Sequence, residues 1–502
     1  MRGENVAMEY ILEKPHSTHS LFELLTLKAL VTFGTAKVLR GGSRLLPQIA
    51  VGATILLFGS YLWSSHFISR TANPDYAIEW DVGETTIGGV GGGLRIVVFG
   101  GGDITTPNRA SWKADGPTSA WTDILCLQLN CNLYLSLIPL TDSDGGAIVS
   151  NSLFEAALAR SSTTDDDTTA GLDYSWLAQN YPAPSCQDLL HQVEAFLASP
   201  QPRNPPRETL WVFNIGFWDI WSLSALPRKV ATRLIETQAQ HILSQIEILY
   251  EEAHKDDSVA FSDYYADMDL DDMHATDSSL HQAPFRIFIP KPFDISMTPG
   301  FENVRFTPPL PHMKAEQMRN AVFLTKHWEK VIQGMLNEWM SLPDLEEKNM
   351  MKNGVSVPSA RREAITYDIS GYIHELIVEH QLRNADLVDH NGLGSMATTE
   401  GYVEVWEPCI QRDYVVYKDE NSTEDGTGDN RWNVCDTPDE HLFWTDFTVN
   451  RRTIFEVGKR AAELLKRHME MDEEWFKKAQ LPLSSLRRGS DGEPLRLEAS
   501  DT

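Results

Sequence analysis

Residues 94 to 104 read Leu-Arg-Ile-Val-Val-Phe-Gly-Gly-Gly-Asp-Ile, and this stretch narrows the folds open to the chain more than any other. A β-branched apolar run without alternation marks a strand buried on both faces, and Gly100, Gly101, Gly102 and Asp103 end it in a tight loop. Further strand candidates fall at Asn132–Ile138, Leu210–Ile215, Phe285–Ile289 and Ile365–Ile369. Segments of helical period lie between and after them. One apolar stripe runs through Val230, Leu234, Ile242, Ile246 and Leu249, and another through Met318, Val322, Trp328, Val331, Met335 and Trp339. Tyr372–Leu382 and Ile454–Leu465 complete the set. Strands alternating with helices predict an α/β fold: a parallel sheet covered on both faces, in three α/β/α layers.

The 42% hydrophobic content and 14 Trp supply a large core. A net charge of −28, from 71 acidic against 43 basic residues, repels phosphate backbones and argues against nucleic acid as a partner. Residues 45–69 carry no charge and are long enough to cross a bilayer as a helix. Lys28, Lys37, Arg40 and Arg44 precede them, whereas Asp75, Glu79, Asp81 and Glu84 follow. The positive-inside rule then predicts a single-pass type II protein of the secretory pathway or cell surface, with a cytosolic N-terminus. The expected organisation is a cytosolic tail at 1–44, a signal anchor at 45–69, a Gly-rich linker at 70–93, a lumenal or extracellular domain at 94–480 and a disordered tail at 481–502. Within the domain, 256–283 is acidic and poor in residues to bury, which predicts a mobile loop.

All five cysteines lie beyond the anchor, on the side where disulfides form. Cys409 and Cys435 bracket a polar loop that holds Asn421-Ser422-Thr423, a glycosylation sequon, and a 409–435 bridge is the expected pairing. One cysteine must stay unpaired. No metal or cofactor is expected. The cysteine spacing fits no zinc pattern, Val378 breaks the HExxH arrangement around His374-Glu375, and the glycines at 88–93 precede a strand instead of linking one to a helix.

The run into Gly-Asp at 102–103 resembles the opening block of the GDSL (SGNH) esterase-lipase family, its fungal secreted and membrane-attached members most of all. The likeness follows the family's order from Leu94 to about Leu465. Trp121-Thr122-Asp123-Ile124-Leu125-Cys126 is similar to the helix after the nucleophile turn, and Asn151-Ser152-Leu153-Phe154 falls where the second block lies. Asn214-Ile215-Gly216-Phe217-Trp218-Asp219 resembles the third block, with Trp218 at its Asn position. Phe443-Trp444-Thr445-Asp446-Phe447-Thr448 resembles the last block, which carries the catalytic Asp and His. The resemblance implies an SGNH-like α/β/α domain with its pocket near Gly102, Asp103, Gly216, Trp218 and Asp219. It puts the nucleophile, acid and base at Ile104, Thr445 and Thr448.

None of those three side chains can do that work. Acyl transfer needs an activated nucleophile, a base within reach and donors for the oxyanion. Ile104 has no nucleophilic atom, Thr448 is no base at neutral pH, and Thr445 cannot orient one. Substitutes in sequence are Thr105, Asp446 and the pair Asp389 and His390. Thr105 equally suits a helix cap, and the Asp386–Gly394 loop a solvated turn. Asp103 and Asp219 suit loop structuring, and the aromatic cluster Trp211, Phe213, Phe217, Trp218 and Trp221 suits either a sugar platform or the core. The expectation is a membrane-anchored pseudohydrolase binding a glycan, lipid or protein partner. The alternatives are an ester hydrolase with a displaced nucleophile and a tethered scaffold acting through its acidic loop.

Overall fold

A computed structural model describes residues 70–71, 93–109, 111–112, 116–141, 144–162, 171–264, 284–343, 351–352, 355–356, 359–396, 401–412 and 432–484, all in the unit Ile68–Thr502. The expected anchor, most of the linker, the acidic residues 265–283, Asn421 and the tail from 485 lie outside them. Among the described residues no helix is long and apolar enough to cross a membrane.

Strands and helices alternate in the order β1 (Leu94–Gly100), α1 (Trp121–Leu129), β2 (Leu133–Ser136), α2 (Asn151–Ser161), α3 (Leu189–Leu197), β3 (Glu208–Asn214), α4 (Phe217–Leu223), α5 (Arg228–Glu252), β4 (Pro284–Pro290), α6 (Lys314–Met340), β5 (Arg361–Tyr367), α7 (Ile369–Asn384) and α8 (Arg451–Ser484). The five strands are parallel in the order β2-β1-β3-β4-β5, and Arg70–Thr71 pairs with the outer edge of β2. Four of the expected strands are present within two residues at each end, and the fifth lies at Arg361–Tyr367 in place of 365–369, with Ile369 starting α7.

Burial on both faces explains why the strands read as apolar runs. Phe99, Trp211 and Phe285 stack along one face, where Phe196 of α3, Tyr250 of α5 and Trp339 of α6 pack on them. Phe288 and Tyr367 point to the other face, against Trp121 of α1, and α8 packs over α1. The result is the expected three-layer α/β/α arrangement. Where Arg286 interrupts β4, its guanidinium bridges Glu208 on β3 (2.6 Å) and Glu363 on β5 (2.7 Å), so the buried charge is paired across three strands.

Three expectations need correction. The buried stripe of α6 is Ala321, Leu324, Trp328, Ile332, Leu336 and Trp339, and Met318 is 38% exposed. The start of the acidic stretch is anchored: buried Arg95 of β1 donates to the carbonyls of Val259 (2.7 Å), Ala260 (2.9 Å) and Phe261 (3.2 Å). Helix α8 also continues to Ser484, past the expected domain end.

Cys409 and Cys435 are bonded as expected, and Cys126–Cys131 forms a second bridge across the turn from α1 to β2. Asn130 makes that turn in the left-handed region (φ 51°). Cys186 remains free.

Candidate functional site

In a sheet of this order the connections leave β1 toward β2 on one side and enter β3 on the other. A crevice opens at the carboxyl ends of the strands at that switch point. Here it is a cleft of about 300 Å³, lined from the β1 loop by Gly101, Asp103, Thr106 and Asn108, from β2 by Tyr134 and Ser136, and from across the mouth by Trp218, Phe447 and Thr448.

Beside Gly101 of the lining the main chain is tightly packed. Gly101 and Gly146 lie face to face, so a Cβ on Gly101 would overlap the Ala147 carbonyl, and one on Gly146 would overlap the Gly101 carbonyl and the Trp218 indole. The backbone N–H groups of Gly101 and Gly102 both donate to the Asn214 carbonyl (3.2 Å each), which ties the β1 loop to the end of β3.

Asp103 organises the loop after Gly102. Its Oδ1 accepts from the Thr105 N–H (2.8 Å) and from the hydroxyls of Thr105 (2.7 Å) and Thr106 (3.1 Å). With the Asn214 amide turned so that both ends are satisfied, its nitrogen donates to Asp103 Oδ2 (3.1 Å) and its oxygen accepts from Trp121 Nε1 (3.2 Å). Burial raises the Asp103 pKa, and these hydrogen bonds oppose the rise.

The three positions that the resemblance assigns to a triad fall on two adjoining segments. Ile104 is fully buried, and its carbonyl accepts from the Val449 N–H (2.8 Å). Thr448 lines the cleft, and its hydroxyl lies 3.3 Å from that of buried Ser111. Thr445 is buried, and its hydroxyl accepts a long bond from the Phe447 N–H (3.4 Å). The nucleophile position is thus an apolar core residue and the base position one of a pair of hydroxyls. Ser111 is itself engaged with Asn108, whose carbonyl and Oδ1 it meets at 3.0 and 2.9 Å.

The sequence-level substitutes do not assemble. Thr105 is fully buried with its hydroxyl held by Asp103. Asp446 turns toward Asn303 (2.8 Å) and is not among the lining residues. Asp389 closes its own turn by accepting from the N–H groups of Asn391 and Leu393 (2.8 Å each), and His390 is exposed. Buried Glu379 of α7 pins that loop by accepting from the N–H groups of Gly394 and Met396. Helix α7 follows β5, and β5 lies three strand spacings from β1, roughly 14 Å. Among the described residues no histidine lines the cleft, and no group of acidic, histidine or cysteine side chains could hold a metal ion.

Of the other expected pocket residues, Trp218 lines the cleft and packs on Phe447 at 5.2 Å. Gly102 is buried beneath Thr106, and Gly216 (φ 110°) starts α4 against Trp328. Asp219 turns inward. Its Oδ1 accepts from the Val149 N–H and from Gln238 Nε2 (2.9 Å each), joining the loop before α2 to α5, and burial pushes its pKa up to about 7. Sequence reasoning missed Trp112, Tyr134, Ser136 and Asn108 as cleft residues. They bear no motif: Tyr134 and Ser136 come from β2, which pairs with β1, and Asn108 and Trp112 from the loop that follows β1.

A second cavity, about 280 Å³, opens between β4, β5 and α6 beside Lys291, Lys326 and Glu329. Long side chains wall it, and none of the expected site residues reach it.

Fold and cleft together define a three-layer α/β/α protein with a crevice of mixed polar and apolar lining at the switch point of a parallel sheet. Compared with known proteins, the chain matches no family model and no curated protein.

Proposed function

We propose that this chain is a non-hydrolytic binding protein built on an SGNH-like domain, tethered to a membrane by residues 45–69. The observation that carries the proposal is the Val449–Ile104 hydrogen bond (2.8 Å). It joins the two segments on which the resemblance places nucleophile and base, at the crevice where that chemistry would occur. The side chains there are Ile104 and Thr448. An apolar side chain and a hydroxyl cannot activate water or attack an ester. Trp218 and Phe447 line the cleft from the core side, so it keeps room for a ligand without the atoms of a triad.

The two bridges, Cys126–Cys131 and Cys409–Cys435, support a domain that matures in an oxidising compartment. With residues beyond the anchor in the lumen, Asn421 is available for glycosylation.

The test exposes the full-length chain to a fluorophosphonate probe and a panel of short and long acyl esters, beside Thr105→Ala and His390→Ala variants. Absence of labelling and turnover is the expected result. Turnover abolished by either substitution would locate a relocated active site and overturn the proposal.

A further inference from the structure

Among its described lining residues, the cleft that lacks a triad also lacks a cation. Its lining includes the carboxylates of Asp103 and Asp123 and the hydroxyls of Thr106, Tyr134 and Ser136, yet among the described residues no Lys, Arg or His lines it. A fatty-acid carboxylate, a phosphate or a uronate entering this cleft would lose its hydration and meet negative charge. A ligand rich in hydroxyls and free of negative charge meets acceptors and donors instead.

Aromatic surface narrows the class further. Trp112 stands at the cleft with 42% of its surface exposed, although a tryptophan of a folded domain is ordinarily well buried. Trp218 is 7% exposed on the opposite wall. An indole face beside acidic and hydroxyl groups complements a pyranose, whose C–H face packs on the ring while its hydroxyls bond at the edge. The space of about 300 Å³ is at the small end of ligand sites.

We infer that the cleft binds a short carbohydrate without negative charge, one or two pyranose rings long, with Trp112 as its stacking surface. This inference rests on the reading of the chain as a non-hydrolytic binding protein. The two carboxylates are buried and held by their own loops, so they disfavour anions by their charge, while the indole of Trp112 and the neutral lining meet the sugar.

The experiment titrates the full-length chain, in a detergent without a sugar headgroup, by calorimetry and tryptophan fluorescence. The probes are cellobiose, maltose, di-N-acetylchitobiose, chitobiose, glucuronic acid and decanoate. Saturable binding of at least one uncharged or amine-bearing disaccharide is expected, with glucuronic acid at least ten-fold weaker. Trp112→Ala should lose ten-fold or more in that affinity while its thermal midpoint stays near wild type, because the side chain is half outside the core. Unchanged saccharide binding in Trp112→Ala overturns the inference. So does binding of glucuronic acid or decanoate as tightly as any disaccharide, or no saccharide binding at all; these outcomes leave the non-hydrolytic reading intact. Release of acetate from peracetylated cellobiose in the same cell would overturn that underlying reading, whichever sugar binds.

Discussion

The backbone N–H of Val449 donates to the carbonyl of Ile104 across 2.8 Å, so two segments more than three hundred residues apart in sequence form one wall at the end of β1. The contact is between main chains and does not depend on which side chains the two segments carry. The geometry of the wall and the chemistry of its residues are therefore separable.

Restoring the missing atoms tests that separation. Ile104 is fully buried, so Ile104→Ser removes core volume and buries a hydroxyl, at a cost of roughly 3–5 kcal/mol. Urea unfolding should show that loss for the single variant. The double variant Ile104→Ser/Thr448→His is expected to give at most trace ester turnover, because Thr445 supplies no carboxylate to orient the new imidazole. Turnover near that of an ordinary esterase would mean that position 445 is not required.

Asp219 gives stability a pH dependence of defined sign. Its pKa is about 7 in the fold against 3.8 for the free side chain, so between these values the native state holds a proton that the unfolded chain releases. Stability should be greatest below about pH 4, fall as pH rises to about 7, and level off above it, by at most on the order of 4 kcal/mol. Asp103, also raised by burial, acts in the same direction. Asp219→Asn keeps an oxygen for the Val149 and Gln238 donors, and should flatten most of the slope in unfolding midpoints measured from pH 4 to pH 8.

Arg95 holds the start of the acidic stretch through three carbonyls and the Thr209 hydroxyl (2.9 Å). Burial lowers its own pKa to about 9, so the guanidinium remains charged at neutral pH. Arg95→Met fills similar space but leaves those carbonyls without donors, at a cost of about 3–5 kcal/mol. Hydrogen exchange should rise selectively over residues 256–264. Uniform exchange across the domain would place the effect elsewhere.

The Cys409–Cys435 bridge spans 26 residues of sequence, and loop-closure entropy puts its contribution at about 3.5 kcal/mol. It also abuts the wall: the Ile410 N–H donates to the Trp444 carbonyl (2.9 Å), and the Trp444 indole donates to the Ser111 carbonyl (3.0 Å). Cys409→Ser/Cys435→Ser should lower the thermal midpoint and weaken any cleft ligand. A variant that loses stability with affinity unchanged would show that the wall holds without the bridge.

The architecture was legible because its signal is local. Four strands are apolar runs ended by turn residues and sit where that pattern puts them, whereas the fifth begins at Arg361, four residues before the expected 365–369, because Arg361, Arg362 and Glu363 hide its start. The Cys409–Cys435 pair was legible from the polar loop it brackets, whereas the five-residue spacing of Cys126 and Cys131 carried no comparable sign. The stripe of α6 was misread because Met318, Val322 and Met335 are apolar but lie beside the contact line, and the face is set by what α5 and β5 present. Asp389 and His390 looked like a site because sequence does not reveal that three strand spacings separate their loop from β1. The cleft residues Trp112, Tyr134 and Ser136 carry no pattern in sequence, since their meaning lies in the pairing of β1 with β2 and in the loop that follows β1.

The close contact of Gly101 with Gly146 behind the cleft wall sets a limit on what could be built there. Two peptide segments in contact, with no space for even a methyl, offer no position at which a library can install a new functional group. Any attempt to evolve an activity in this scaffold should diversify the walls, at Thr106, Ser136, Trp218 and Thr448, and leave Gly101 and Gly146 untouched.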